Sequence, residues 1–273
     1  MLQTKIFAFI GTGNMGGAMA LAAGQAVPGE RLLLCNRTPE KAERLAGQTG
    51  GRVVDAHTAA ASADYLFLGV KPQMMAGVLA DLRETLLSRE KPCALVSMAA
   101  GLSISDIRRL SGVDFPIIRI MPNIPCAVGE GIVLWCSDGA DDETLADFET
   151  AMAGAGMLDR VDEGLIDAGS VVAGCGPAFA AMLVEALADG GVACGLPRAR
   201  AQAYAAQMLK GTAALLLKDG RHPGQLKDAV CSPGGSTIQG VRALESGGFR
   251  AAAFEAVTAA YVKTLKMGGK EIT

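Results

Sequence analysis

Hydrophobic residues in the first part of the chain form short continuous runs, and alanine-rich stretches with helical spacing separate them. Continuous apolar runs bounded by glycine, proline or polar residues are typical of buried strands, while apolar residues three and four apart indicate helices. The predicted strands are residues 5–10, 31–35, 52–54, 65–70, 94–98, 117–120, 132–136 and 157–160. The predicted helices are residues 15–23, 39–46, 58–63, 73–87 and 142–152. This alternation predicts an α/β fold with a mostly parallel sheet covered by helices on both faces.

The pattern changes after residue 160, where long helical patterns rich in alanine, leucine and methionine replace the strands. The predicted helices here are residues 165–188, 197–217, 226–230, 237–246 and 249–267. We therefore expect two domains: an α/β domain over 1–160 and an all-helical domain over 161–273. The apolar faces of the second domain exceed what one compact domain of that length would bury, which predicts a homodimer interface.

One uncharged stretch, residues 168–184, has a composition that resembles a membrane span. It contains three glycines and Pro177 and is flanked by Asp167 and Glu185, so we interpret it as a buried helix of a soluble protein. The apolar run of residues 6–10 is too short for the core of a signal peptide. The expected location is the cytoplasm, with no membrane partner.

Composition excludes several functional classes. A net charge of −3 gives no basic excess to hold a nucleic-acid backbone, so no nucleic-acid partner is expected. The seven cysteines are scattered with no C-x-x-C pair, which argues against a disulfide framework and against a bound metal. The chain has 35 glycines but only 4% aromatic residues. We expect those glycines at turns and at places where the backbone approaches a ligand.

A glycine-rich motif follows the first predicted strand. It reads Gly11-Thr12-Gly13-Asn14-Met15-Gly16, and a helix must begin within it. In this context the first glycine permits a tight turn, the second lets the backbone approach a pyrophosphate, and the third allows close helix–strand packing. The motif predicts a dinucleotide site made by these six residues. The alternative is a structural turn that binds no nucleotide.

The end of the second strand indicates which dinucleotide is bound. A site for NAD has Asp or Glu there to bind the ribose 2′-hydroxyl. This chain has Asn36-Arg37-Thr38 instead, and an arginine beside an amide and a hydroxyl suits a 2′-phosphate. NADPH is therefore the favoured cofactor, with NADH as the alternative. Arg37 could equally be a solvated residue, and Thr38 could be only the N-cap of the next helix.

Three further segments are candidates for contact with cofactor or substrate. Val70-Lys71-Pro72 stands at the end of the fourth strand, and Asn123 follows the sixth between Pro122 and Pro125, so both should lie at the carboxyl edge of the sheet. The third, Ser232-Pro233-Gly234-Gly235-Ser236-Thr237, opens a predicted helix. Its oriented amides and hydroxyls would bind a carboxylate, although a plain Pro-Gly turn before a helix N-cap has the same sequence.

Eight segments together resemble one enzyme family. They are Gly11-x-Gly13-x-x-Gly16, Val70-Lys71-Pro72, Ser97-Met98-Ala99-Ala100-Gly101, Asn123-x-Pro125, Gly174-x-Gly176-Pro177-Ala178, Glu185-Ala186-Leu187-Ala188-Asp189-Gly190, His222-Pro223-Gly224-x-Leu226-x-Asp228 and Ser232-Pro233-Gly234-Gly235-x-Thr237-Ile238. Over nearly its whole length the chain is similar to the Δ1-pyrroline-5-carboxylate reductases. The last segment is specific to these reductases, whereas the Rossmann part is shared with many dehydrogenases.

The resemblance implies reduction of the cyclic imine 1-pyrroline-5-carboxylate to L-proline. It implies an NADP-binding domain of Rossmann type over 1–160 and an all-helical substrate-binding and dimerisation domain over 161–273. The helical domain would interleave with its twin in a dimer, often within a decameric ring of dimers. It implies that Ser232, Gly235, Ser236 and Thr237 bind the substrate carboxylate, with Thr237 also near the ring nitrogen. Lys71 and Asn123 would line the junction of cofactor and substrate, and Asn36-Arg37-Thr38 would bind the adenosine phosphate.

The chain departs from the family pattern in three places. It has Ala56 and His57 where the family often has Asn, Cys175 where many members have Ser, and Gly220-Arg221 where an acidic residue often precedes the His-Pro segment. The first departure weakens any transfer of residue roles to the adenine pocket. The second means that a serine hydroxyl there is not essential.

The proposed chemistry needs little acid–base catalysis, because a protonated imine is already electrophilic. Thr237 is the best candidate to hydrogen-bond the imine nitrogen or to pass on a proton, with Lys71 as the second catalytic candidate. His57 is expected at the surface in a βα loop, and His222 is expected to order the loop before Pro223.

Rival hypotheses are another NADP-dependent imine or 3-hydroxyacid oxidoreductase, a deazaflavin-dependent NADP reductase, and a non-catalytic NADP sensor. The 3-hydroxyacid dehydrogenases of this type use a lysine on the first interdomain helix. Residues 165–188 contain no lysine, which counts against that rival.

Overall fold

The structure is a computed structural model in which residues 2–268 are described. The chain divides into two compact units. Among the described residues, the first contains 2–174 together with 261–268, and the second is Cys175–Ala260. The functional boundary predicted between residues 160 and 161 stays a prediction.

In the first unit, eight strands form one sheet. They are β1 (Phe7–Ile10), β2 (Leu32–Cys35), β3 (Arg52–Val53), β4 (Tyr65–Leu68), β5 (Ala94–Ser97), β6 (Ile117–Pro122), β7 (Gly131–Asp138) and β8 (Gly156–Arg160). Their order in the sheet is β3-β2-β1-β4-β5-β6-β7-β8. All neighbours are parallel except β6 and β7, which a short 3₁₀ segment joins without a crossover helix. Each predicted strand is present, and the mostly parallel sheet is confirmed.

Six helices accompany this sheet before the chain enters its helical part. They are α1 (Asn14–Ala23), α2 (Pro39–Thr49), α3 (Ala56–Ser62), α4 (Pro72–Leu87), α5 (Ile104–Ser111) and α6 (Asp142–Met152). The sequence analysis missed α5. Its signal was a capping box, in which the Ser103 hydroxyl accepts from the Asp106 N–H and the Asp106 carboxylate accepts from the Ser103 N–H.

The core lies on both faces of the sheet because successive residues of a strand point to opposite sides. Phe7 and Phe9 of β1 pack with α1, α2 and α6, whereas the residues between and after them pack with α3, α4 and α5. On the first face the rings stack across the strands: Phe7 lies 4.5 Å from Tyr65 and Phe9 lies 4.4 Å from Phe67, centroid to centroid. This aromatic ladder fixes the register of β1 and β4.

The remaining helices are α7 (Glu163–Ser170), α8 (Gly176–Ala193), α9 (Arg198–Asp219), α10 (Pro223–Val230), α11 (Ser236–Ser246) and α12 (Phe249–Met267). The single helix predicted over 165–188 is wrong in one respect. A π-helical turn, Val171–Cys175, separates α7 from α8. Gly174, Gly176 and Pro177 surround the junction, and proline supplies no N–H to continue the α-helical hydrogen bonds.

The helical unit exposes much of its apolar surface in the single chain. Helices α10, α11 and α12 have no buried residue. The stretch Glu163–Ala193 is, among the described residues, the one helix long and apolar enough by length and composition to cross a membrane, with a mean hydropathy of 1.8. Only 11% of that apolar window is buried, so the expectation of a helix buried within the chain is wrong. Most residues of that window are therefore exposed in the part of the chain that the structure describes.

Candidate active site

Three glycines bring the loops after β1 and β4 into backbone contact at the carboxyl edge of the sheet. Ile10 is in register with both Cys35 and Leu68, so the loops after β1, β2 and β4 leave the sheet at one edge. A Cβ on Gly16 would lie 2.0 Å from the Gly11 carbonyl oxygen, and one on Gly69 would lie 2.4 Å from the same atom. Gly11 has φ +93°. Glycine is therefore required at these positions by packing.

Gly13 differs from its neighbours because nothing lies within 4 Å of the place its Cβ would occupy. It is the N-cap of α1, and no side chain caps that helix start. Thr12 beside it is buried, and its Oγ1 has no hydrogen-bond partner among the described residues. An open approach, an uncapped helix N-terminus and a buried unpaired hydroxyl together fit the pyrophosphate of a dinucleotide.

Asn36 links this turn to the loop after β2. Its Oδ1 accepts a hydrogen bond from the Thr12 N–H at 3.1 Å, and its Nδ2 donates to the Thr38 carbonyl at 2.9 Å. Arg37 is exposed. Thr38 occupies the N-cap position of α2, but its side chain makes no capping hydrogen bond. The loop therefore presents the Arg37 guanidinium and the Thr38 hydroxyl, and the hydroxyl does not cap α2.

Val70, Lys71 and Pro72 lie beside the glycine turn, as the sequence predicts from the strand order. A Cβ on Gly11 would be 3.0 Å from the Val70 nitrogen. Lys71 is exposed at the N-cap position of α4, and Pro72 begins that helix. The structure thus brings 11–16, 36–38 and 70–72 together around one edge of the sheet, while their contacts with a cofactor stay a prediction.

Asn123 is buried, and its side chain is bound to backbone on both sides. Its Oδ1 accepts from the Ile132 N–H at 3.0 Å and from the Cys126 thiol at 3.5 Å. Its Nδ2 donates to the Ala173 carbonyl at 3.0 Å, inside the π-helical turn. These bonds fix the turn between β6 and β7. The second N–H of the amide is the atom left for the predicted contact with substrate.

The sequence analysis missed a buried ion pair beside this turn. Arg119 in β6 and Asp167 in α7 are almost fully buried, and Nη2 of the arginine donates to the carboxylate at 2.8 Å. Glu163 accepts from the Ile104 N–H at 2.7 Å and lies 3.4 Å from the Arg119 Nη1. An arginine between isoleucines of an apolar strand was the available signal, because a buried charge needs a partner. The pair attaches α7 to the sheet.

The serine- and glycine-rich turn of the second unit begins α11 without a side-chain cap. Gly235 is the N-cap in extended conformation, and its N–H donates to the Ser232 carbonyl at 3.0 Å. Gly234 has φ +70°, which favours glycine, and a Cβ on Gly235 would lie 2.5 Å from the Ser232 Oγ. Ser236 and Thr237 are exposed at the helix start. This arrangement suits a bound carboxylate, the role predicted for these residues.

The two histidines lie at the N-terminal ends of helices. His222 caps α10, where its Nδ1 accepts from the Gly224 N–H at 3.1 Å, so the prediction that it orders this loop is confirmed. His57 is exposed and lies 2.9 Å from the Thr85 hydroxyl. It belongs to the first turn of α3, not to a loop as predicted.

The cysteines are all free thiols. Burial raises the pKa of Cys93 and of Cys136 to about 11, so both are protonated near neutral pH. Cys194, at the end of α8, is exposed. Neither Cys93 nor Cys136 is therefore an activated nucleophile.

Comparisons with known proteins relate both parts of the chain to described families. A family model named pyrroline-5-carboxylate reductase dimerisation matches residues 163–267. A second, named NADP oxidoreductase coenzyme F420-dependent, matches residues 6–101. The first covers the helical part of the chain and the second covers the glycine turn with the strands around it.

Individual relatives match nearly the whole length. Pyrroline-5-carboxylate reductase from Escherichia coli K12 is 39% identical over 96% of this chain and 98% of its own. Pyrroline-5-carboxylate reductase 3 of Danio rerio is 37% identical over 99% of this chain and 94% of its own. The crystal structure of Plasmodium falciparum pyrroline carboxylate reductase with NADP bound has a TM-score of 0.88 at 29% identity, covering 98% of this chain and all of the other. The chain therefore belongs to the pyrroline-5-carboxylate reductase family.

Proposed function

We propose that this protein is a pyrroline-5-carboxylate reductase, which reduces 1-pyrroline-5-carboxylate to L-proline with NADPH. The observation that supports this most directly is likeness over the full length. The E. coli reductase aligns over 96% of this chain, so the glycine turn and the Ser232–Thr237 segment are both included. A match to the Rossmann part alone would fit many dehydrogenases.

The residues of the first unit fit NADPH as cofactor. Gly13 leaves room for the pyrophosphate, and the loop after β2 has Arg37 where an NAD site would have a carboxylate. The Plasmodium relative was solved with NADP bound. When bound, NADPH supplies a hydride to the imine carbon.

The chain's own residues bind, orient and polarise the imine. Ser232, Gly235, Ser236 and the uncapped start of α11 bind the substrate carboxylate, which the helix dipole and backbone N–H groups stabilise. The Thr237 hydroxyl hydrogen-bonds the ring nitrogen. As the hydride reaches the carbon, the C=N electron pair moves to that nitrogen, which keeps its proton and becomes the amine of proline.

Lys71 and Asn123 have supporting roles in this proposal. Lys71 lies at the edge of the sheet beside the glycine turn, where its charge attracts the anionic cofactor and substrate. Asn123 holds the turn after β6 through its bonds to Ile132 and Ala173, and we assign the second N–H of its amide to the contact with substrate. Neither residue needs to transfer a proton.

A direct assay tests the activity. Purified protein should oxidise NADPH, followed by its absorbance, when 1-pyrroline-5-carboxylate is added, and should form proline in equal amount. 3-Hydroxyacids with NADP and a sample without imine are the controls. Turnover of a hydroxyacid without turnover of the imine would contradict the assignment, and nucleotide binding without any turnover would favour a sensor.

The helical part mediates association of chains, in agreement with the dimerisation model that matches residues 163–267. We propose a homodimer as the basic form, with rings of dimers built from it, in the cytoplasm. The exposed apolar residues of α8, α9 and α12, among them Met182, Tyr204 and Phe254, supply the contact surface. Light scattering should give at least twice the mass of one chain; a monomer would contradict the proposal.

A further inference from the structure

Strand β6 and the residue after it hold the segment from α7 into the π-helical turn at two points. At the first, Arg119 contacts the carboxylates of Asp167 and Glu163 in the first two turns of α7, at 2.8 and 3.4 Å. At the second, the Asn123 amide donates to the Ala173 carbonyl at 3.0 Å. Arg119 and Asn123 are four residues apart in extended chain, so their side chains leave it on the same side. Both contacts therefore lie on one face of the sheet.

The Ala173 carbonyl lacks its usual helical partner. In a regular α-helix it would accept from the N–H of the residue four positions ahead, which is Pro177 and has none. The Nδ2 atom of Asn123 supplies a donor instead. This bond uses one N–H of the amide, and the Asn123 Oδ1 accepts from the Ile132 N–H. The direction of the second amide N–H therefore depends on where the Ala173 carbonyl lies.

The ion pair is the contact that defines where α7 lies along β6. The helix packs closely on β7, since a Cβ on Gly169 would lie 2.4 Å from the Leu134 side chain. Apolar packing is non-directional and does not select one helix position. Arg119 adds direction, because its planar guanidinium faces two carboxylates that are four residues apart on one face of α7. A slide or rotation of the helix would break both contacts.

Stability alone does not account for this pair. Arg119 and Asp167 are only 1% and 3% exposed, and the buried Nε of the arginine has no hydrogen-bond partner among residues 2–268. Moving two charges out of water is costly, and well-packed apolar residues in place of a buried ion pair are often as stabilising or more so. A pair kept at that cost has its use in the geometry it defines.

We propose that Arg119 and Asp167 are positioning residues for reduction of the imine. Their ion pair fixes α7 on β6, which places the Ala173 carbonyl and, through it, directs the second N–H of the Asn123 amide to the substrate. The inference rests on the proposed function, in which that N–H contacts the substrate. A misplacement of about 1 Å in an orienting group can lower a rate about a hundredfold.

Replacing both members of the pair by apolar residues separates positioning from stability. The full-length variant Arg119→Met with Asp167→Leu, here called the apolar variant, should keep the Tm of the wild type within a few degrees. Its kcat for the imine should fall about tenfold or more, while calorimetry gives a Kd of NADPH within about twofold of wild type. Arg108→Met with Asp138→Leu is the matched control, because it removes an ion pair between α5 and the end of β7 away from Asn123. That control should leave kcat and KM unchanged.

Combination with Asn123→Ala shows whether the pair acts through that amide. Asn123→Ala alone should lower kcat, and adding the apolar variant should lower it no further, since both changes remove the same contact with substrate. Additive losses, or wild-type kcat in the apolar variant, would overturn the proposal. If the apolar variant does not fold cooperatively, Arg119→Lys tests the same step, because it keeps a charge beside Asp167 but loses the planar fork. Its kcat should fall about fivefold, and an unchanged kcat would overturn the proposal.

A crystal structure of the apolar variant gives a readout that does not depend on turnover. The Asn123 Nδ2 and the Ala173 carbonyl oxygen should be more than about 3.5 Å apart, with β6 and β7 unchanged. An intact bond would overturn the proposal. Absence of imine turnover by the wild type would instead reject the proposed function, a result distinguishable from all of these.

Discussion

Serine introduced at Gly13 or at Gly16 should separate an effect on stability from an effect on cofactor binding. At Gly16 a Cβ would lie 2.0 Å from the Gly11 carbonyl oxygen. Real Cβ atoms essentially never show contacts under 3.0 Å, so the backbone must move by about the difference, 1.0 Å. Overpacking of this kind costs about 2 to 3 kcal/mol. At about 2 to 4 °C per kcal/mol for a domain of this size, Gly16→Ser should lower the Tm by about 4 to 12 °C.

Gly13→Ser introduces the same side chain where no atom lies within 4 Å. Serine is a preferred N-cap, and Gly13 already has the extended backbone of an N-cap, so the apo protein should keep or slightly raise its Tm. The new hydroxyl would occupy the helix N-terminus that the pyrophosphate needs. The Kd of NADPH should therefore rise at least tenfold, a loss of about 1.4 kcal/mol.

Thermal melts of both apo proteins, with calorimetric titration of NADPH, measure both effects. The wild type is the reference for each. An equal fall in Tm for the two variants would refute the reasoning about the open approach at Gly13. Wild-type affinity of Gly13→Ser for NADPH would show that the pyrophosphate does not lie against this turn.

Further predictions concern the substrate, the buried ion pair and the thiols. Thr237→Ala should lower kcat/KM for the imine about a hundredfold while the Kd of NADPH stays within twofold, as steady-state kinetics and calorimetry would show; unchanged turnover would remove Thr237 from the mechanism. Asp167→Ala should cost about 3 to 5 kcal/mol in denaturant unfolding, because the buried Arg119 guanidinium loses its 2.8 Å bond to this carboxylate and keeps the longer contact with Glu163. Asp167→Asn, which keeps a hydrogen-bond acceptor, should cost less. Near pH 8 a thiol reagent should label the exposed Cys194 at once and leave Cys93 unlabelled. The pKa of Cys93 is raised to about 11, and its thiolate forms only as the pH approaches that value. Fast labelling of Cys93, detected by mass spectrometry, would contradict this.

Local sequence patterns were sufficient to predict the strands of the sheet, because most of these strands are continuously apolar and are separated by glycine or polar turns. The bounds of α6 and α12 match the predicted ones. Helix α5 was missed because it is short, although Ser103 and Asp106 form a capping box that can be found by inspection. The π-helical turn was missed because a hydrophobic period does not distinguish one extra residue per turn from a regular helix.

Long-range partnerships could not be predicted from the chain. Arg119 and Asp167 are 48 residues apart, and nothing local indicates that a strand arginine meets a helix carboxylate. The apolar stretch 168–184 was predicted to be buried within one chain, and it is mostly exposed there. Hydrophobicity indicates that a surface will be covered, but it does not identify the element or the partner that covers it.

The exposed helical unit has a consequence for folding itself. Within Cys175–Ala260 the buried residues are three alanines, Ala188, Ala201 and Ala205. Ordering a residue costs about 1 to 2 kcal/mol of backbone entropy, and three methyl groups cannot balance that cost over a segment this long. The folded form of this part must then be stabilised by the mass action of association. Its melting temperature should rise with protein concentration, and dilution alone should unfold it while the nucleotide-binding sheet stays intact.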